Sequence, residues 1–245
     1  MSYKSLYKES DWIAELRRQE RKIREAFPGE EFKQCLDKES FNMRYYNPYW
    51  VVTDHGNVWS LWVERPLIAY AEKQGVRNKD GEYASVKYFY RNGWNEAIKE
   101  NGNQGMLRIF SHQLVANYFC DKTVINRYGE ANVEVHHIFG YDETAENTEI
   151  NNAEYIQYAL KGDHILMNAI QNGTDLSKLE SREGLKHQMT EKDPYDPYIQ
   201  QIIQQGRRTP GFQNGLKMIY HEDGTTDLQV IIGGRRTVDN TTQNL

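Results

Sequence analysis

Three of the seven histidines in this chain stand where they could do chemistry. V-H-H-I-F-G runs from Val135 to Gly140, and K-G-D-H-I-L-M-N runs from Lys161 to Asn168. His136 and His137 close a predicted strand. His164 opens a predicted helix, and Asn168 follows four positions later. Side chains brought in from two elements could hold one divalent cation beside one imidazole base, which is the equipment for hydrolysing a phosphodiester.

The elements that must position these residues are legible around them. Asn132 to Ile138 is the strand that ends in the histidine pair, and Tyr155 to Leu160 is a second short strand. Asp163 is the expected cap of a helix from His164 to Gln171, which Asn172-Gly173 terminates. His164 and Asn168 are at i and i+4 and so share a helix face. Leu166, Ala169 and Ile170 lie on the other side, ready to pack. Adjacent strand residues point to opposite faces, so His136 and His137 can approach one phosphate from different directions.

Strand, loop, strand and helix in this order outline a ββα metal site. On V-H-H-I-F-G, N-N, Y-I-Q-Y-A-L and K-G-D-H-I-L-M-N the chain resembles the HNH endonucleases. The resemblance implies that His136 is the first metal ligand and His137 the general base that takes a proton from the attacking water. It makes His164 the helix ligand and puts Asn168 where some members carry a further ligand. The family's central Asn usually lies nine residues before the helix ligand. Here that position is Tyr155, while Asn151 and Asn152 lie just upstream. Asn152 is the choice for the catalytic role of pinning the loop. HNH enzymes usually work with magnesium or manganese, so Mg or Mn is the expected cofactor. Two imidazoles and a carboxamide form a neutral set, and on ligand chemistry alone they also permit zinc.

A second match precedes the first. Y-W-V-V-T-D-H-G-N-V-W-S-L at 49 to 61 and L-R-I-F-S-H-Q-L-V-A-N-Y-F at 107 to 119 are similar to the modular domain that accompanies phage and intron-type HNH homing endonucleases. His112 matches that motif's histidine. The two matches occur in the family's order.

Composition bounds the rest. A chain of 245 residues with 38% hydrophobic and 12% aromatic residues can build a sizeable core. With 27% charged residues and no run near the roughly 20 apolar residues a spanning helix needs, no membrane partner is expected. M-S-Y-K-S-L-Y-K-E-S lacks an apolar stretch, so a secretory signal is not expected. Cys35 and Cys120 form no C-x-x-C pair, which excludes a cysteine zinc knuckle and suits an intracellular, cytoplasmic compartment. A net charge of -5 argues against non-specific coating of nucleic acid but leaves room for a positive binding face.

Residues 10 to 27 read as a helix capped by Ser10 and stopped by Pro28-Gly29. Its mixed charges suggest a solvated, salt-bridged face, with phosphate tracking as the alternative. Aromatic and β-branched residues flank D-H-G-N at 54 to 57, a hairpin signal. A helix is expected from Pro66 to Gln74, and strands from Tyr83 to Tyr90 and Met106 to Phe110. Ser111 is the expected cap of a helix from His112 to Phe119. D-P-Y-D-P-Y at 193 to 198 marks a boundary. Leu216 to Tyr220 and Leu228 to Ile232 form a C-terminal hairpin, and the tail from Thr237 is expected to be disordered.

The fold class expected is α+β. Its parts are a helical segment at 1–44, a β-rich modular domain at 45–120, the ββα motif at 121–173 and a C-terminal extension at 174–245. The function expected is metal-dependent cleavage of DNA, with a catalytically weak or inactive binding module as the alternative. Phosphate grip falls to Arg17 and Arg21, to Arg207 and Arg208, or to Arg235 and Arg236. One site per chain cuts one strand, so double-strand cleavage needs a homodimer or two visits. His55, His112, His187 and His221 are taken as structural.

Overall fold

The structure is a computed structural model, and it describes residues 8–40, 43–74, 84–92, 106–139, 151–171 and 213–235. The fold is α+β, with helices interspersed among small sheets. The chain divides into two compact units. The first comprises Met1–Cys120 and Glu146–Ile156, and the second Asp121–Ala145 and Gln157–Leu245.

The first unit opens with α1 (Glu9–Ala26). Lys8 rather than Ser10 is its cap residue, and the Asp11 carboxylate accepts the Lys8 N–H at 2.8 Å. Trp12, Ile23 and Phe27 are buried, and the helix packs on β2 of a four-stranded antiparallel sheet. That sheet runs in the order β1 (Phe32–Cys35), β2 (Asn47–Thr53), β3 (Val58–Ser60) and β4 (Arg65–Pro66). Every residue of β2 and β3 is buried, as their β-branched and aromatic content suggests. Gln19 is fully buried from its helix face. Its carboxamide donates to the Leu61 carbonyl at 2.9 Å and accepts from the Trp59 indole at 2.8 Å, so both of its polar atoms are paired.

The β2–β3 turn falls at Asp54 to Asn57, as D-H-G-N predicts. Gly56 has φ +85°, and a Cβ there would lie 2.5 Å from Ser111 Oγ. Ser111 is therefore not the helix cap. It begins α2 (Ser111–Phe119), while its hydroxyl donates to the Gly56 carbonyl at 2.9 Å. A second antiparallel sheet joins β5 (Tyr70–Gln74), β6 (Ala84–Asn92) and β7 (Met106–Phe110). Here the expected helix at 66–74 is corrected. Ala71 to Gln74 are good helix formers in isolation, but pairing with β6 overrides that local preference.

The second unit begins with α3 (Thr123–Tyr128), a short helix that the sequence did not signal. β8 (Val133–His137) and β9 (Ile156–Leu160) form a two-stranded sheet. α4 (Lys161–Gln171) follows β9 directly, three residues earlier than an Asp163 cap would allow. The hairpin of β10 (Gln213–Tyr220) and β11 (Thr226–Arg235) is antiparallel, with Gly224 at φ +91° in its turn. Leu166, Met167, Ala169 and Ile170 of α4 bury against Ala159, Leu216 and Met218, so helix, strand and hairpin share one apolar core. Both cysteines are free thiols. Among the described residues no helix is long and apolar enough to cross a membrane. The segment 193–198, the tail beyond Arg235 and His187 lie outside the described residues.

Candidate metal centre

The strand–strand–helix arrangement brings three of the sequence-predicted side chains together. His136, at the end of β8, is fully buried. Its ring stands edge-on to that of His164 on the first turns of α4, with centroids 5.6 Å apart. Asn168, one turn further along, places its Nδ2 2.9 Å from His164 Nε2. The i, i+4 spacing thus delivers both side chains to one spot.

Each imidazole is fixed from behind by an oxygen. His164 Nδ1 lies 2.6 Å from a Glu134 carboxylate oxygen. A carboxylate accepts only, so Nδ1 carries the hydrogen and Nε2 keeps its lone pair toward Asn168. His136 Nε2 lies 3.1 Å from the Leu216 carbonyl of β10. The other nitrogen, His136 Nδ1, is buried and makes no hydrogen bond of normal distance and angle, with the Asn168 side chain as a polar neighbour of the ring. Burial first, then the neighbouring His164 and His137 rings, push the His136 ring down to about 3, against smaller opposing effects of the Leu216 carbonyl and the Asn168 side chain. It is neutral near pH 7, the form in which imidazole binds a metal.

Buried polar atoms without partners are uncommon and call for an explanation. Here the orphan is a good ligand atom beside a second imidazole and a carboxamide. The donor set therefore fits a divalent cation of the borderline kind, and Glu134 supplies the carboxylate partner typical of metal-bound histidine. Sequence reasoning missed Glu134. It sits two residues before His136 in a strand, so the period of two places both on one side. A lone acidic residue in V-E-V-H-H was the available signal.

His137 is half-buried and follows His136 on the strand, which turns the two rings to different sides. Its carbonyl and that of Ile138 accept from the buried Gln171 carboxamide, at 3.3 and 2.7 Å. The end of α4 thereby grips the end of β8. Asp163 is buried in the first turn of α4, where a negative charge suits the helix dipole. It accepts from the Tyr220 hydroxyl at 2.8 Å, and that hydroxyl in turn accepts the Leu160 N–H at 2.9 Å.

The remaining predicted residues make other contacts or fall outside the described residues. Asn152 belongs to the first unit. Its oxygen caps the following 3₁₀ turn by accepting the Glu154 N–H at 2.9 Å, and its nitrogen lies 3.0 Å from His55 Nε2. Arg17 and Arg21 are exposed on α1, with Arg21 3.6 Å from Glu25. Arg24 pairs with Glu20 on the same helix at 2.8 Å, so mixed i, i+4 pairs lace this surface. Arg235 ends β11, and Arg207, Arg208 and Arg236 lie outside the described residues.

The first unit holds a further polar cluster. Ligand-type atoms of Glu30, Asp54 and His55 lie within 4.8 Å of one another. His55 Nδ1 is 2.8 Å from Asp54, and Glu30 accepts from Asn57 at 3.0 and 3.1 Å. The Ala153 N–H donates to the Asp54 carbonyl at 2.8 Å. These bonds tie the β2–β3 turn to its neighbours, and the three side chains are also of the type and spacing that could hold a metal ion. His112 stacks on Phe110 at 5.8 Å, and His221 pairs with Asp227 at 3.0 Å.

No protein-family model matches this chain, and no curated protein matches it. Among solved structures, it is similar to one described as "DNA binding and cleavage by the HNH homing endonuclease I-HmuI", at 16% identity and a TM-score of 0.34. The overlay covers 81% of this chain and 77% of that one.

Proposed function

We propose that this protein is a metal-dependent endonuclease that hydrolyses phosphodiester bonds in DNA by an HNH-type, one-metal mechanism. One observation carries the proposal: a buried imidazole nitrogen on His136 with no regular hydrogen bond, placed beside His164 and Asn168.

His136, His164 and Asn168 are the residues that would hold the cation, with Mg or Mn expected and Zn permitted by the imidazoles. Such an ion would polarise the phosphoryl group and stabilise charge on the leaving oxygen. The chain's own residues do the rest. Glu134 keeps the His164 Nδ1 protonated and so leaves the lone pair on Nε2, where a cation would take the place of the Asn168 N–H. Gln171 holds the two carbonyls after the histidine pair and so sets where the His137 ring stands. His137 accepts the proton of the attacking water as the new P–O bond forms and the bond to the leaving oxygen breaks. Asn152, the residue assigned the family's central Asn role, caps the 3₁₀ turn at 153–155 through its side-chain oxygen.

Supercoiled plasmid incubated with the protein and Mg²⁺, Mn²⁺ or Zn²⁺ tests this directly. Nicking is expected in the presence of cation and is lost in His137→Ala. Cleavage that survives that substitution unchanged, or no cleavage with any of the three ions, overturns the proposal. Plasmid retention in a gel without cutting favours the binding module instead.

A further inference from the structure

The C-terminal hairpin stands closer to the proposed centre than its place in the sequence suggests. Leu216 of β10 is fully buried, and its two backbone polar groups both serve the end of β8. Its N–H donates to the Ile138 carbonyl at 2.7 Å. Its carbonyl lies 3.1 Å from Nε2 of His136, two residues earlier on β8. One residue of the hairpin thus grips backbone and imidazole at once.

The approach is too close for any residue but glycine beside it. A Cβ at Gly215 would lie 2.8 Å from two ring carbons of Phe139 and 2.9 Å from Ile138 Cγ2. Phe139 is itself buried, so its ring cannot simply swing away.

A backbone carbonyl can only accept a hydrogen bond. A neutral imidazole has one N–H, so a hydrogen on Nε2 leaves the lone pair on Nδ1. That is the nitrogen left buried with no regular hydrogen bond. We infer that the hairpin is a working part of the metal centre: the Leu216 carbonyl sets the His136 tautomer and makes Nδ1 its ligating nitrogen, with Gly215 permitting the approach. Leu216 and Gly215 are positioning residues. The inference rests on the proposed metal-binding role of His136, which it deepens by naming the atom and the element that presents it.

The test uses the full chain and Mn²⁺ alone. An Asn side chain carries its oxygen about where Nδ1 of histidine stands, and a Gln side chain about where Nε2 stands. His136→Asn should therefore keep Mn²⁺ affinity, by calorimetry, at least tenfold better than His136→Gln. Gly215→Ala should lower Mn²⁺ affinity by about 10- to 100-fold, the range for loss of an orienting partner. Long-range ¹⁵N–¹H spectra of the metal-free protein should show His136 protonated on Nε2, with that resonance shifted in Gly215→Ala. If the unsubstituted chain binds no Mn²⁺, the metal-centre proposal fails and takes this inference with it. If it binds Mn²⁺ but His136→Gln binds as well as His136→Asn, or His136 is protonated on Nδ1, the inference alone is overturned.

Discussion

Glu134 and His164, thirty residues apart in sequence, meet at 2.6 Å, the carboxylate of a strand on the imidazole of a helix. Glu134 is on the surface side of the pair and His164 more sheltered. This bond therefore orients a ring from outside without burying a charge. Glu134→Ala should leave the fold intact, because a half-exposed carboxylate contributes little packing. It should lower Mn²⁺ affinity about 10- to 100-fold. Calorimetry on the two proteins decides the matter, and equal affinities would strip Glu134 of its role.

Tyr220 joins the hairpin to α4 and β9 through one hydroxyl, which donates to Asp163 and accepts from the Leu160 N–H. Tyr220→Phe removes both bonds while keeping the ring. Leaving such buried groups unpaired costs about 1–3 kcal/mol. The expected result is faster amide hydrogen exchange in α4 and a lower urea midpoint by far-UV circular dichroism. A midpoint equal to that of the parent chain would show that the hydroxyl is dispensable.

Gln19 makes the corresponding test in the first unit. Gln19→Met preserves the side-chain length and strands the Trp59 indole N–H and the Leu61 carbonyl. A loss of about 1–3 kcal/mol is expected. The five tryptophans all lie between residues 12 and 94, so their fluorescence follows this unit during urea unfolding. Stability within a few tenths of the original would contradict the assigned bonds.

Glu64 gives the pH dependence. Hydrogen bonds and charge from Lys22 and Arg18 hold its carboxyl below the usual 4.5. The folded value is lower than the unfolded one, so the contribution is fully present above the unfolded value. It is lost as pH falls through the depressed one. Glu64→Gln should flatten the acid limb of the stability curve below about pH 4.5 and leave neutral pH nearly unchanged, since exposed pairs are weak. An acid limb identical in both proteins would refute the link.

Much of this arrangement was legible in the residues, and the exceptions have physical causes. The histidine pair, β9 and the i, i+4 partners on α4 announce themselves by periodicity and side-chain type. The Asp54–Asn57 turn does so through Gly56. The segment 70–74 misleads because Ala, Glu, Lys and Gln favour helix locally, whereas its pairing partner lies on β6. Ser111 and Asp163 have the chemistry of caps but spend it on the Gly56 carbonyl and the Tyr220 hydroxyl. Leu216 could not be foreseen at all. What it offers His136 is a main-chain oxygen, and every residue has one.

The chain enters the first unit, leaves it at Asp121, returns for Glu146–Ile156 and leaves again. During synthesis, then, neither unit is whole when its first long stretch emerges from the ribosome. The N-terminal unit waits for a piece inserted within the span of its neighbour, and that neighbour waits for the last strands of all. Severing the polypeptide at any one point between Asp121 and Ile156 would leave at least one unit without a segment of its own, so the two are inseparable as genetic halves.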